Sequence, residues 1–348
     1  MKQICKDNAG KIIIKETSEP VIKEGFVKIK TQYSLISSGT ETRSLTEGQG
    51  LFKTILKKSS SLGRKNADAS PLGYCAVGEV LEIGSDVLEV GIGDKVVCSG
   101  FGYAVHAETV MAPKNLVCCV PEGLELEASF TAIGSVALHA IRRCQVQLGE
   151  TILVIGLGLT GQLVAQLLRL SGCKVIGIDR NEHKLKVAKD TGIDVTHLGK
   201  NGFKKTVLDF TKQNGVDGAI YCADIYESDQ FEEVASVVRD KGRIITIGHV
   251  KTLIPTAVLF RKEIDLMSCR SFGPGRFDSN YEEKGIDYPI GYVRWTEKRN
   301  MEEIVDLIKR QKLLIKPLIT EIMHFTKAKE AYKLLTGKRR PIAIVLKY

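Results

Sequence analysis

Three glycines and one aspartate carry the clearest chemical signal in the chain. Gly156, Gly158 and Gly161 stand in the run Gly156-Leu157-Gly158-Leu159-Thr160-Gly161, spaced G-x-G-x-x-G. The first glycine permits a tight strand-to-helix turn. The second lets the backbone approach a pyrophosphate, and the third lets helix and strand pack closely. Phosphates are then expected at the helix N-terminus, where unpaired N–H groups and the helix dipole favour negative charge. Leu157, Leu159 and Thr160 complete the predicted contact loop. Asp179 follows the glycines by about 20 residues, where a carboxylate would accept hydrogen bonds from an adenosine ribose and repel a 2′-phosphate. NAD is therefore expected over NADP, although the neighbouring Arg180 is a group that would bind a phosphate. A bare glycine turn is the alternative reading, and it is the surrounding elements that weigh against it.

Those elements fit a nucleotide unit. The β-branched run Thr151–Ile155 feeds the turn, and a helical pattern follows with Leu163, Val164, Leu167 and Leu168 on one face. A second strand, Lys174–Ile178, ends at Asp179. Further strands are predicted near Asp217–Cys222, Arg243–Ile247 and Ile264–Ser268, with helical stretches between them. Such alternation predicts a parallel, doubly wound α/β sheet. Residues 1 to about 120 read instead as mostly β, with short apolar runs (Lys11–Ile14, Val27–Thr31, Gly78–Ile83, Lys95–Cys98, His106–Met111) divided by Gly, Pro and Asp turns. Leu51–Asp68 interrupts them and is expected to be partly helical or mobile. Leu124–Cys144 reads as one helix with Ala128, Ala132, Val136 and Ala140 on a small-residue face.

Beyond Cys269 lies a stretch without a clean period, dense in Gly, Pro, Tyr, Arg and acids. A helix follows, with Asn300 as its expected cap, Glu303 three residues on, and Met301, Ile304, Val305 and Ile308 as its apolar face. A last strand is placed at Ile342–Leu346. The expected division is a β-rich domain over 1–122, completed by 296–348, and a nucleotide domain over 123–295 that carries the 270–296 segment.

The totals narrow the class. At 348 residues, two domains are the natural division. No run of 18 or more apolar residues occurs, and the first residues do not read as a signal peptide, so a cytoplasmic protein with no membrane association is expected. Nine scattered cysteines without a C-x-x-C pair fit that compartment as buried thiols. Lys and Arg outnumber Asp and Glu by 50 to 41, a net +9 that can draw in anionic ligands. The densest basic run is Lys53, Lys57, Lys58, Arg64 and Lys65. It reads as a solvated surface segment or as a steering patch for phosphorylated substrates. No motif supports nucleic-acid binding.

Over its whole length the order of motifs resembles the medium-chain dehydrogenase/reductase superfamily: a GroES-like β-rich front domain, a Rossmann domain and a C-terminal return. Its zinc-dependent members carry Cys-Gly-Thr-Asp-x-His, Gly-His-Glu and a linking-helix Glu. Here the chain reads Ser38-Gly39-Thr40-Glu41-Thr42-Arg43, Gly73-Tyr74-Cys75 and Ala132-Ile133. The four-cysteine lobe after Cys98 is missing too, so no metal is expected. The runs Ser34–Glu41, Pro71–Cys75, Ser271–Arg276 and Tyr281–Thr296 are most similar to the dehydrogenase half of bacterial bi-domain oxidoreductases associated with surface-polysaccharide assembly. The sugar-oxidoreductase-type domain of those proteins is not expected here, and its activity would come from a separate partner or not be needed. The front motif also resembles the bacteriochlorophyllide dehydrogenase type.

The resemblance implies the remaining assignments. Thr40 is the proton-relay hydroxyl by position. Ser38 and Tyr74 stand where metal ligands would, and Glu41 is a further acid/base candidate whose alternative is purely structural. Without zinc, hydroxyls, ammonium groups or backbone N–H must stabilise and protonate the alkoxide. His106, Arg276, Lys284 and Arg294 are expected at the substrate, the cations as clamps for phosphate or carboxylate. Tyr281, Tyr288, Tyr292 and Trp295 are expected to stack on a sugar or base. The alternatives are an irregular subunit-interface loop with core aromatics, and a structural His106. Lys184 would contact the adenosine ribose, and Ala223, Gly248 and Ser271 would border the cofactor. The expected activity is zinc-independent interconversion of a hydroxyl and a carbonyl on a sugar or polyol, anionic or nucleotide-linked, by a homodimer paired through the Rossmann sheet edge. The alternatives are a nucleotide-binding, non-catalytic subunit of a separate oxidoreductase and a zinc-free enone or quinone reductase.

Overall fold

The computed structural model describes residues 1–46, 68–225, 227–337 and 340–348; the basic run between Lys53 and Lys65 lies outside the described residues. The chain forms two compact units. The first comprises Met1–Ala132, Phe272–Gln311 and Ile319–Tyr348, and the second Ile133–Ser271 and Lys312–Leu318.

The first unit is built on β1 (Lys2–Asp7), β2 (Ile12–Glu16), β3 (Phe26–Leu35), β4 (Ala69–Pro71), β5 (Cys75–Ile83), β6 (Lys95–Ser99), β7 (Thr109–Pro113) and β8 (Val117–Cys119). The second contains β9 (Thr151–Ile155), β10 (Lys174–Asp179), β11 (Val195–Leu198), β12 (Val216–Tyr221), β13 (Val238–Thr246) and β14 (Asp265–Ser268). The chain then returns to the first unit as β15 (Ile319–His324) and β16 (Ala343–Lys347).

In the first unit the larger sheet runs β15-β16-β3-β5-β6-β8, with β7 also on β3, and a smaller one runs β2-β1-β4. β16 pairs antiparallel with the end of β3, setting Leu346 opposite Ser34 and Val345 opposite Leu35. The C-terminal strand thus lies beside the residues that enter the Ser37–Glu41 turn. The inward faces pack into two apolar clusters, one around Val27, Ile29, Val80, Val96 and Val110, the other around Ile4, Ile36, Leu72, Tyr332 and Leu346.

The second unit is a six-stranded sheet in the order β11-β10-β9-β12-β13-β14, parallel at every pair. Helices cover such a sheet on both faces, which is why Ile152–Ile155 reads as a continuous buried run instead of an alternating one. The order reverses between β9 and β12. In doubly wound sheets that is where ligands bind, beyond the carboxyl ends of the strands. The turn at Gly156 follows β9 directly.

Several sequence expectations shift. β11, with no apolar run of its own, was not expected. Leu124–Cys144 is two helices, Glu125–Ala128 and Thr131–Cys144. The break falls at Ser129, whose backbone N–H and hydroxyl both bond to the Leu126 carbonyl and tighten the turn. The helix after the aromatic segment starts earlier than expected: Thr296 is its cap, accepting from the Arg299 N–H at 3.4 Å. Asn300 lies inside that helix and donates from Nδ2 to the Phe272 carbonyl at 2.7 Å. Phe272–Thr296, expected with the nucleotide domain, lies in the first unit. The Asn300 bond, Glu297 N–H to Pro274 O at 2.9 Å, and Asn115 Nδ2 to Tyr281 O at 2.8 Å tie it there.

Candidate functional site

The glycine turn of the second unit meets each demand of a nucleotide cradle separately. Gly156 has φ 90°, a conformation that side chains disfavour, and a Cβ there would stand 2.9 Å from the Ala223 Cβ. A Cβ at Gly161 would overlap the Gly156 carbonyl oxygen. These two glycines are required by the protein itself. Gly158 is different: its backbone is extended (φ −66°, ψ −171°), and a Cβ there would meet nothing within 4 Å. The open face beside Gly158 is the feature a backbone cradle for a pyrophosphate needs. Gly158 also caps the helix Leu159–Leu170, which begins with Leu159, Thr160 and Gly161.

Around this turn the expected cofactor residues fall into two groups. Asp179 accepts from the Leu157 N–H at 2.7 Å and from the Asn181 N–H at 2.9 Å, so the carboxylate is already fastened to the loop. Ala223 packs on Gly156, and Gly248 lies where a Cβ would stand 2.5 Å from the Ala223 carbonyl oxygen. Gly156, Leu157, Gly158, Gly161, Asp179, Ala223 and Gly248 therefore come together. Lys184 lies in the first turn of the helix Glu182–Asp190, and Arg180 is exposed. Ser271, half-buried with φ 53°, ends the long stretch of the second unit.

The hydroxyl candidates lie in the first unit. Tyr74 is buried, and its phenol donates to Ser37 Oγ at 2.5 Å and is also hydrogen-bonded to Thr40. Burial, aided by the Glu41 carboxylate, raises the phenol above its ordinary value, so it stays protonated as a donor. Ser38 is half-buried, and its carbonyl accepts from the Thr42 hydroxyl. Glu41 is buried and fastens the turn. It accepts from the Ser37 N–H at 2.8 Å, from the Tyr332 phenol, and meets His106 Nε2 at 3.1 Å. His106 Nδ1 lies 2.8 Å from Ser34 Oγ, which in turn is 3.1 Å from the Tyr348 phenol. His106 was placed at a strand start and at the substrate. It precedes β7 and is fully enclosed, with both ring nitrogens inside this network. Gly73 (φ 93°) makes room for it, since a Cβ there would stand 2.7 Å from the His106 nitrogen.

The aromatic segment divides in the same way. Arg276, expected as a substrate clamp, is buried, ion-paired with Glu282, and lies 4.1 Å from the Phe277 ring centroid. Tyr281 is buried and stacked on Tyr288 at 5.3 Å, and the Tyr288 phenol donates to Asp278. Burial, with Asp278 beside it, pushes that phenol up to about 12. These side chains build the segment. Lys284, Tyr292 and Arg294 are the exposed ones, and the Arg294 guanidinium lies 3.8 Å from the Trp295 ring centroid.

Zinc takes three or four N, S or O ligands in near-tetrahedral array. The Cys75 thiol donates to the Ser129 carbonyl at 3.0 Å, and burial pushes it up to about 12. Among the described residues no group of three or more His, Cys, Asp or Glu side chains is placed to hold a metal. Among the described residues, those around Cys75 do not supply a zinc ligand set. No described helix is long and apolar enough to cross a membrane.

Two network members, Tyr332 and Tyr348, carry no local motif; Tyr348 arrives at the end of β16, which pairs with β3, and Tyr332 on the helix Ala328–Thr336. Ser34 and Ser37 stand inside the quoted Ser34–Glu41 run, but nothing in it marks them as partners of His106 and Tyr74.

Residues 160–283 match the zinc-binding dehydrogenase family. The match lies within the nucleotide half and the start of the aromatic segment and includes none of Ser38, Tyr74 or Ala132. The chain is 28% identical over 282 residues to the D-guloside 3-dehydrogenase of Escherichia coli K12, covering 75% of this chain and 72% of that protein. Among solved structures it is similar to an E. coli oxidoreductase/dehydrogenase of unknown specificity involved in membrane biogenesis (19% identity, TM-score 0.81, 99% of this chain and 98% of that one). It is also similar to the galactitol-1-phosphate dehydrogenase of E. coli (19% identity, TM-score 0.78, all of both chains). These likenesses show the fold: a GroES-like β-rich part joined to a Rossmann doubly wound sheet. With the family match, they support an NAD(P)-dependent dehydrogenase.

Proposed function

We propose that this protein is a zinc-independent oxidoreductase that uses NAD in preference to NADP and interconverts a hydroxyl and a carbonyl on a sugar or polyol. The observation that carries the reading is the bare, extended Gly158 between two glycines that the fold itself requires, with Asp179 fastened to the same turn. The curated relative acts on D-gulosides, which supports a sugar substrate. An anionic or nucleotide-linked sugar in cell-surface glycan synthesis is the form we favour, from the exposed Lys284 and Arg294 and the bi-domain resemblance. The protein would act as a homodimer.

When bound, the nicotinamide supplies or accepts the hydride. The chain's own residues do the rest. The glycine turn and the N-terminus of the helix Leu159–Leu170 hold the diphosphate. Asp179 orients the adenosine ribose and disfavours a 2′-phosphate. Tyr74, Ser37 and Thr40 form a connected set of hydroxyls that can stabilise an alkoxide and pass it a proton, the work a metal does elsewhere. Ser38 and Glu41 hold the turn that carries them.

The test is fluorescence titration with NADH and NADPH, followed by NADH production from methyl glycosides, free polyols and nucleotide sugars, with and without a zinc chelator. NADH binding and chelator-insensitive turnover on a sugar are expected. Failure to bind either nucleotide, or activity abolished by the chelator, overturns the proposal. A second reading, a nucleotide-binding subunit without turnover, is favoured by the raised Tyr74 phenol, a weak proton donor near neutral pH. Deuteride transfer to NAD from any of these sugars, deuterated at the carbon that bears the reacting hydroxyl, by the protein alone would rule it out.

A further inference from the structure

Beneath the glycine turn lies a side chain that neither the fingerprint nor the proposed chemistry uses. Gln162 follows the third glycine, in the first turn of the helix Leu159–Leu170, and is completely buried. Its Nε2 donates twice, to the Leu157 carbonyl at 3.1 Å and to the Lys184 carbonyl at 2.8 Å. Both partners are carbonyl oxygens, so the nitrogen must face them, and the orientation of the amide is fixed by its surroundings. Its Oε1 is buried and has no donor among the described residues. An amide that desolvates an oxygen in order to place both N–H groups on two separate carbonyls is a costly choice where an apolar side chain would pack.

The two carbonyls belong to the two halves of the nucleotide cradle. Leu157 sits between the first and second glycines. Its N–H is already taken by Asp179 at 2.7 Å, so this one residue is held on both sides, by Asp179 at its nitrogen and Gln162 at its carbonyl oxygen. Lys184 lies in the helix Glu182–Asp190, capped by Asn181 next to Asp179. Gln162 is thus a strut from the pyrophosphate turn to the start of the helix beside the ribose-binding carboxylate. We propose that Gln162 is a positioning residue for the cofactor. It fixes the distance between the diphosphate and adenosine-ribose contacts, so that the protein binds the dinucleotide with its cradle already set. This rests on the nucleotide reading above.

A built-in control stands one helical turn away. Gln166 is equally buried and also makes two bonds to one partner, Nε2 to the Leu314 carbonyl at 3.1 Å and Oε1 from the Leu314 N–H at 2.7 Å. It holds the Lys312–Leu318 segment, away from the turn. Gln162→Met and Gln166→Met remove the same number of hydrogen bonds from the same helix at nearly constant volume. NADH titration of the full-length protein should show Gln162→Met weakened by about tenfold, the size expected for two lost neutral hydrogen bonds. ADP-ribose should weaken in the same proportion. Gln166→Met should lower the unfolding temperature comparably and leave NADH affinity within about twofold, the non-additive scatter of such changes. Gln162→Glu adds a readout that a purely structural role would not move. A carboxylate cannot donate to the two carbonyls and a protonated acid can donate once, so NADH affinity should recover as pH falls while the parent stays flat. Parent protein that binds neither NADH nor NADPH would sink the nucleotide reading. Parent that binds, with Gln162→Met unchanged or Gln166→Met weakened equally, would sink this inference alone. Should Gln162→Met not fold, the pH response of Gln162→Glu decides.

Discussion

At the nucleotide turn of the second unit, the side-chain hydrogen bond that fastens the loop spans a short stretch: Leu157 and Asp179 are 22 positions apart. In the hydroxyl network of the first unit, Glu41 and Tyr332 are 291 apart. The turn is shaped by what backbone can do without a side chain, at Gly156 and Gly161. The network is shaped by which buried side chains can share protons and lone pairs across three separate pieces of chain. A substitution at the turn should therefore act through space and backbone geometry, and one in the network through unpaired polar groups.

The largest effect is expected at the turn. Gly161→Ala places a methyl group onto the Gly156 carbonyl oxygen, where backbone must give way. It should cost about 3 kcal/mol of stability, the upper part of the overpacking range, and abolish NADH binding. Gly158→Ala separates the two demands. Its Cβ meets no protein atom and its φ is ordinary, so unfolding should be unchanged within about 0.5 kcal/mol while NADH binding is lost. Differential scanning calorimetry beside NADH titration tells them apart. A Gly158→Ala variant that unfolds early, or that still binds NADH as the parent does, would break the distinction between glycines the fold needs and the glycine a ligand needs.

This division explains what the amino-acid order could reveal. The glycine spacing, Asp179 and the strand–helix alternation are local, and the parallel sheet with its switch point follows from them. His106, Arg276 and Tyr281 were expected at the substrate because their types suit ligand chemistry. The structure shows them buried beside partners that spacing cannot expose: Glu41 and Ser34 for His106, Glu282 and Phe277 for Arg276, Asn115 and Tyr288 for Tyr281. Asn300 failed as a cap for the same reason, since Phe272 takes its amide and Thr296 caps instead. The structural alternative for Glu41 was open from the start, and its partners favour it.

The network should answer next. Glu41→Leu removes the acceptor of the Ser37 N–H and the Tyr332 hydroxyl and leaves both buried. About 2 kcal/mol of destabilisation is expected, the cost of unpaired buried donors. Tyr332→Phe removes one of those donors together with its need. Combined with Glu41→Leu it should cost less than the sum of the two single changes, because the partners are coupled. Urea unfolding of the four proteins measures the coupling, and strict additivity would mean that Glu41 and Tyr332 do not act as a unit.

The last effect concerns a histidine in the second unit; it vanishes at neutral pH and appears only on the acid side. His139 lies on the helix Thr131–Cys144. Burial first, then Arg143, Arg142 and Arg270, lowers it from 6.5 to about 4. The unfolded chain takes up a proton as pH falls past 6.5, and the folded chain resists until about 4. Protons then favour the unfolded state across that window, so stability is lost as pH falls through it and is unaffected above it. His139→Gln keeps a polar side chain without the titration. Its unfolding temperature should match the parent's at pH 8 and exceed it at pH 4.5, and identical slopes of stability against pH in the two proteins would show that His139 carries none of the acid sensitivity.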